Sequence, residues 1–140
     1  MDKIRILYAE GYDLILFTAK PLLEAEGWEV EVCRDGAAAL KKLERGAHFD
    51  LLIFDDRLDG ASGAELTACA RGCTRLRATP IILFTAGQSN GDSASHGADA
   101  CLSKPGGLKD LVTTCRRLIP RAAPPPGLEV PAAGSNGAPD

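Results

Sequence analysis

The chain has 140 residues, of which 45% are hydrophobic and 25% charged, as expected for a single globular domain rather than a disordered chain. The formal net charge of −3 argues against non-specific nucleic-acid binding, which requires a basic surface. Apolar runs such as residues 51–54 are much shorter than the roughly 18 residues that a membrane-spanning helix needs.

The cysteines and the amino terminus exclude further classes. There are five cysteines, an odd number, and no two of them are spaced as a CxxC pair. With only two histidines as further ligands, this pattern argues against a zinc site and predicts reduced thiols. The first residues lead directly into a strand-like pattern without the features of a secretory signal, so we expect a cytoplasmic protein.

Apolar and amphipathic segments alternate along residues 1–119. Strands are predicted at 4–9, 28–33, 51–54, 81–84 and 98–102, and helices at 12–26, 36–45, 63–71 and 107–119. Gly27 and Gly46 follow two of these helices, where a left-handed residue often ends the helix. The alternation also predicts a fourth helix over residues 87–96, although the Gly, Ser and Asn content of this segment disfavours one.

The last 21 residues have a different composition. Residues 120–140 contain six of the nine prolines and only two large aliphatic residues, Leu128 and Val130. Such a segment buries too little apolar surface to offset the entropy lost on ordering. We therefore predict a folded body at residues 1–119 followed by a flexible tail at residues 120–140.

Alternating strands and helices predict an α/β fold with a parallel sheet, in which ligands bind at the carboxyl ends of the strands. Polar residues stand at four of these ends: Glu10, Asp55, Thr85 and Lys104. Taken singly, each has an ordinary structural explanation, such as a helix cap, a turn or the end of a strand. An acid, a hydroxyl and an ammonium group that converge on one edge are difficult to explain by packing.

The order of these motifs resembles the receiver domain of two-component response regulators, in the stand-alone form typical of chemotaxis regulators. The matching segments are residues 6–10, 49–55, 80–86, 97–99 and 102–105, together with Gly60 and Gly63. The resemblance covers roughly residues 3–119. It implies a doubly wound, flavodoxin-like (βα)₅ domain with strand order 2-1-3-4-5. Helices 1 and 5 are expected on one face of the sheet and helices 2, 3 and 4 on the other.

The resemblance also implies a role for each site residue. Asp55 would accept a phosphoryl group, Lys104 would pair with its oxygens, and Thr85 would bind the same group and act as a switch. Glu10, Asp55 and the backbone carbonyl of Arg57 would hold Mg²⁺. The phosphodonor would be a histidine kinase or a histidine phosphotransfer protein. The output would be protein–protein contact, without nucleic acid or membrane. Such a module is not an enzyme beyond its own phosphoryl transfer and slow dephosphorylation.

Two departures from the family pattern favour an alternative. Gly11 stands where a second acid is usual, so we expect weaker Mg²⁺ binding. Cys101 stands where an aromatic switch residue is usual. Both departures would suit a pseudo-receiver, an interaction module that works without phosphorylation, whereas Asp55, Thr85 and Lys104 oppose that interpretation. A flavodoxin-like redox protein is disfavoured, because residues 9–13 do not form a phosphate-binding loop.

Overall fold

A five-stranded parallel sheet forms the centre of the fold in the computed structural model, which describes residues 3–86, 97–104 and 106–122. The strands are β1 (Arg5–Ala9), β2 (Glu29–Cys33), β3 (Leu51–Asp55), β4 (Ile81–Ala86) and β5 (Ala100–Lys104). All four neighbouring pairs are parallel, and the strand order is β2-β1-β3-β4-β5. The predicted sheet and its order are confirmed.

Helices cover both faces of this sheet. They are α1 (Asp13–Glu24), α2 (Gly36–Glu44), α3 (Gly63–Gly72) and α4 (Leu111–Ala122), and a 3₁₀ helix (Gly106–Asp110) precedes α4. Helices α1 and α4, which are the first and fifth predicted helices, pack on one face of the sheet. Helices α2 and α3 pack on the other face, as predicted. The helix predicted over residues 87–96 lies outside the described residues. In the described part, no helix is both long and apolar enough to cross a membrane.

Strand alternation divides the core into two layers. On β1, Ile6 and Tyr8 belong to the layer under α1 and α4, and Leu7 and Ala9 belong to the layer under α2 and α3. All five residues of β3 are buried, which agrees with its unbroken apolar sequence. Gly27 and Gly46 have φ angles of 91° and 86°, so the predicted left-handed glycines after helices are confirmed.

The loop between β3 and α3 is held tightly from two sides. A Cβ atom at Gly36 would lie 1.8 Å from the Ala61 carbonyl oxygen, and one at Gly63 would lie 2.5 Å from the Asp55 carbonyl oxygen. Ser62 and Glu65 form a capping box at the start of α3. These contacts fix the backbone immediately after Asp55.

The fifth strand begins two residues later than predicted, at Ala100 rather than residue 98. The reason is the carboxylate of Asp99, which accepts hydrogen bonds from the Arg71 guanidinium at 2.7 Å and from the Ile81 main-chain N–H at 2.9 Å. Asp99 therefore anchors a turn. Strand β5 then continues to Lys104 because its main chain pairs with β4 as far as Ala86.

The closing helix differs from its predicted range of 107–119 at both ends. Its first turn is the 3₁₀ helix, where a Cβ atom at Gly107 would lie 2.8 Å from the Leu102 side chain. This close approach favours the narrower 3₁₀ helix. Helix α4 then continues through Pro120 to Ala122, past the predicted end of the body at residue 119. The buried face that includes Cys115 and Leu118 offsets the hydrogen bond that a proline removes. The flexible tail stays a prediction for residues 123–140, which lie outside the described part.

We expect Cys115 to make the fold less stable in alkali. Burial raises the pKa of the Cys115 thiol from 9.0 to about 12. The unfolded chain therefore loses this proton above about pH 9 while the folded chain keeps it, and stability falls as the pH rises from about 9 to about 12. At about pH 10.5 the loss from this group is about 2 kcal/mol.

Urea unfolding of wild type and of Cys115→Ala checks this expectation. The difference in stability between the two proteins should shrink by about 2 kcal/mol between about pH 8 and about pH 10.5. A difference that stays constant over this range would contradict it.

Candidate functional site

The parallel register brings the predicted site positions to one edge of the sheet. Ala9 at the end of β1 pairs with Phe54 on the adjacent strand β3. Glu10 and Asp55, the next residues after this pair, therefore lie side by side. Thr85 follows Phe84, the register partner of Asp55 on β4. The backbone of Lys104 pairs with Ala86 at the end of β5, and its side chain lies outside the described part.

Glu10 and Asp55 form a pair of buried carboxylates at this edge. Their side chains are 0% and 6% exposed, and both lie on the strand face that also carries Tyr8. One carboxylate oxygen of Glu10 accepts a hydrogen bond from the Tyr12 main-chain N–H at 3.1 Å. Asp55 accepts one from the Arg57 main-chain N–H at 3.3 Å. These donors partly compensate for the cost of burying negative charge.

Tyr8 lies in the core directly below the two carboxylates. It is fully buried, and its ring lies 6.5 Å from that of Phe84 with an angle of 28° between the ring planes. Burial raises the pKa of the Tyr8 hydroxyl, and the nearby charges of Glu10 and Asp55 raise it further. The sequence alone does not indicate a role for Tyr8, because a tyrosine within an apolar strand has the pattern of a core residue. The only signal was a hydroxyl two positions before Glu10.

Thr85 presents a buried hydroxyl at the same edge. The residue is 8% exposed, and its hydroxyl oxygen completes no hydrogen bond within the described ranges. A buried hydroxyl without a partner is unfavourable. It is therefore well suited to donate a hydrogen bond to an oxygen atom of a group that enters the site.

The loop after β1 lacks a second acid that faces the site. Gly11 is exposed, and a Cβ atom there would lie 3.1 Å from the Arg34 carbonyl oxygen. Asp13 is near in sequence, but it begins α1 and its carboxylate forms an exposed ion pair with Arg34. Asp13 therefore does not take the place of an acidic residue at position 11.

The remaining predicted residues are Arg57, in the loop after β3, and Cys101, on β5. Arg57 is exposed two positions after Asp55, and its backbone carbonyl stays a predicted metal ligand. Cys101 is half-buried on β5, where it pairs with Leu83. It lies three positions before Lys104 and supplies no aromatic ring.

The donor set at this edge fits Mg²⁺ with few protein ligands. Glu10 and Asp55 offer two carboxylates, and Mg²⁺ commonly binds to one or two carboxylates together with phosphate oxygens and water. Among the described residues, no group of three or more His, Cys, Asp or Glu side chains is arranged to hold a metal ion. Because Gly11 has no side chain, it adds no third carboxylate to Glu10 and Asp55.

Comparison with known proteins identifies relatives over most of the chain. Residues 6–116 match the family described as the response regulator receiver domain. The polar-differentiation response regulator DivK of Brucella ovis is 32% identical over 117 residues, which is 81% of this chain and 94% of DivK. The transcriptional regulatory protein TrcR of Mycobacterium tuberculosis is 33% identical over 123 residues, which is 86% of this chain. The chain spans about half of TrcR, since the match covers 47% of that protein.

A solved structure with the same fold contains a metal ion. It is the receiver domain of the sensor histidine kinase PA1611 from Pseudomonas aeruginosa, with magnesium coordinated in its active-site cleft. It is 27% identical in sequence and has a TM-score of 0.75, and the match covers 84% of this chain and 98% of that one.

Proposed function

The chain belongs to the response regulator receiver family, and on that premise we propose that it accepts a phosphoryl group on Asp55 and signals through protein–protein contacts. The observation that carries this proposal is the convergence of Glu10, Asp55 and the buried Thr85 hydroxyl on one edge of the sheet. Receiver domains are signalling modules, so the only chemistry proposed is phosphorylation and dephosphorylation of the domain itself.

The phosphoryl transfer needs a nucleophile and groups that stabilise negative charge. A carboxylate oxygen of Asp55 forms a bond to phosphorus while the bond between phosphorus and the donor's histidine nitrogen breaks. The electron pair of the broken bond stays on the imidazole. Thr85 donates a hydrogen bond to a phosphoryl oxygen, and we assign Lys104 to pair with another. Positioning and charge neutralisation supply most of the acceleration in such transfers.

Mg²⁺ is the cofactor that Glu10 and Asp55 would hold. When bound, it neutralises charge on the carboxylates and on the phosphoryl oxygens. The residues of this chain do the remaining work: Tyr12 and Arg57 orient the two carboxylates through their main-chain N–H groups. Because Gly11 supplies no carboxylate, we propose that Mg²⁺ binds weakly.

The phosphodonor is proposed to be a histidine kinase or a histidine phosphotransfer protein that docks on α1. Tyr12, Leu14 and Phe17 are large hydrophobic residues that are 62%, 70% and 65% exposed. We define the α1 apolar face as the exposed residues Leu14, Phe17, Pro21 and Leu22. Tyr12, which precedes this face, donates its main-chain N–H to Glu10, so the face adjoins the site. A protein that brings a histidine to Asp55 must cover this edge and can bury the α1 apolar face at the same time.

Substitution of Asp55 tests the proposed acceptor. In Asp55→Asn, uptake of a phosphoryl group from acetyl phosphate or from a kinase should vanish, because the amide is a poor nucleophile. Intact-protein mass spectrometry measures the uptake, and Asp59→Asn, an exposed acid in the same loop, is the control that should keep it. Uptake that survives in Asp55→Asn would place the acceptor elsewhere. A wild type that takes up phosphoryl from neither donor would instead support the pseudo-receiver alternative.

Adding an acid at position 11 tests the weak metal site. Gly11→Asp should bind Mg²⁺ more tightly by about 1–3 kcal/mol, the range for a charge-assisted contact. It should also take up phosphoryl faster. The backbone there can accept a side chain if the Arg34 carbonyl, at 3.1 Å from the new Cβ, moves by a few tenths of an ångström. Calorimetric Mg²⁺ titration gives the affinity, and Gly11→Asn is the matched control without charge.

Equal Mg²⁺ affinity in wild type and Gly11→Asp would reject the weak-metal proposal. It would point to Arg57 as the residue that neutralises charge at the site. In that case Arg57→Ala should abolish phosphoryl uptake even at saturating Mg²⁺.

The α1 apolar face can be tested by comparing protein and small-molecule donors. Phe17→Ala should slow transfer from a phosphorylated protein donor at least about tenfold, as for a central interface residue. Uptake from acetyl phosphate should be unchanged, because that donor needs no docking surface. Phosphorylated histidine kinases and phosphotransfer proteins from the source organism serve as donors, and the exposed Lys41→Ala on α2 is the control. Transfer at the wild-type rate in Phe17→Ala would exclude this docking face.

A further inference from the structure

The hydroxyl of Tyr8 is a polar group inside the apolar layer under α1 and α4. Tyr8 is 0% exposed, and within the described residues its hydroxyl completes no hydrogen bond of normal geometry. Burying a hydroxyl without a partner is costly, whereas phenylalanine would fill nearly the same space without that cost. Packing alone therefore explains the ring of Tyr8 and leaves its hydroxyl unexplained.

The Tyr8 hydroxyl lies close to the Glu10 carboxylate. The two residues are two positions apart and lie on the same face of the chain, about 6.6 Å apart along the strand. The ring is held in place by Phe84 on β4, at 6.5 Å between ring centroids. Glu10 is also close enough to raise the pKa of Tyr8 through its charge and as a hydrogen-bond acceptor.

We propose that Tyr8 is a positioning residue whose hydroxyl donates a hydrogen bond to the Glu10 carboxylate and so orients it for Mg²⁺. This inference rests on the proposed function for its link to the metal. The hydroxyl would hold the carboxylate in an orientation suited to the cation and keeps its proton throughout. The Tyr12 main-chain N–H holds one Glu10 oxygen at 3.1 Å, and Tyr8 approaches the carboxylate from the core side.

Orientation of Glu10 is more important here than in a site with three acids. With Gly11 in the loop, Glu10 and Asp55 are the two buried side-chain carboxylates at this edge of the described structure. Groups that orient metal ligands typically change metal affinity by 10- to 100-fold when they are removed. Loss of the Tyr8 hydroxyl should therefore weaken Mg²⁺ binding without removing any ligand.

Tyr8→Phe tests this inference in the intact chain by calorimetric Mg²⁺ titration. Its Mg²⁺ affinity should fall roughly tenfold. Thr114→Val is a matched control, because it removes another buried side-chain hydroxyl, at a residue that is 7% exposed, from helix α4, which supplies no residue of the site. The control should bind Mg²⁺ as wild type does. An unchanged Mg²⁺ affinity in Tyr8→Phe would overturn the inference. A purely structural role of the hydroxyl would change the stability of the fold and leave the Mg²⁺ affinity as it is.

A second measurement does not depend on the metal. A double-mutant cycle with Tyr8→Phe and Glu10→Gln, followed by urea unfolding without Mg²⁺, should show coupling of at least about threefold in the unfolding constant. If wild type binds no Mg²⁺, the metal part of the proposed function fails, and this cycle alone decides whether the hydroxyl and the carboxylate are partners. Unfolding constants that multiply independently would overturn the inference.

Discussion

Two carboxylates buried at the end of an apolar sheet are the constraint on which the rest of the site depends. Glu10 directly follows β1 and Asp55 ends the adjacent strand β3, and each is almost fully removed from solvent. Charges in such a position repel each other and lose hydration, so they need donors or a cation nearby. The main-chain N–H groups of Tyr12 and Arg57 meet part of this need. A cation bound at this edge would stabilise the same negative charges.

The backbone around Asp55 is correspondingly rigid. Gly36 and Gly63 allow main-chain contacts that no other residue would permit, and the capping box of Ser62 and Glu65 fixes the start of α3. These contacts hold the loop that carries Arg57. Rigid positioning of this kind suits the role of phosphoryl acceptor proposed for Asp55, because such transfers depend mainly on positioning. In the layer under α1 and α4, the rings of Tyr8 and Phe84 stack on each other on the face of the sheet that carries the two carboxylates.

The sequence predicts the parts of this arrangement that follow from local pattern. The runs at residues 51–54 and 81–84 indicate central strands, and the strand ends then place Asp55 and Thr85 at one edge. Strand β5 is less predictable because its bounds come from pairing with β4 and from the Asp99 turn, neither of which has a local signal. The predicted helix end at residue 119 is wrong because a helix whose earlier turns pack on the core can continue through a proline. Tyr8 is not recognised from the sequence because the role proposed for it depends on a contact with Glu10, which no local pattern indicates.

The exposed face of α1 could not be assigned from sequence for a related reason. Residues 14–17 are all apolar, so periodicity alone does not say which of them face the core. In the structure Ile15 and Leu16 are buried, whereas Leu14 and Phe17 are largely exposed. The large hydrophobic residues most exposed in the described chain therefore belong to α1 and to Tyr12, which precedes it and contacts Glu10. Folding of the single chain does not require this surface, and a contiguous exposed apolar patch usually marks an interaction site. For the phosphoryl transfer proposed above, a small-molecule donor would make no use of this surface, whereas a protein donor could bury it.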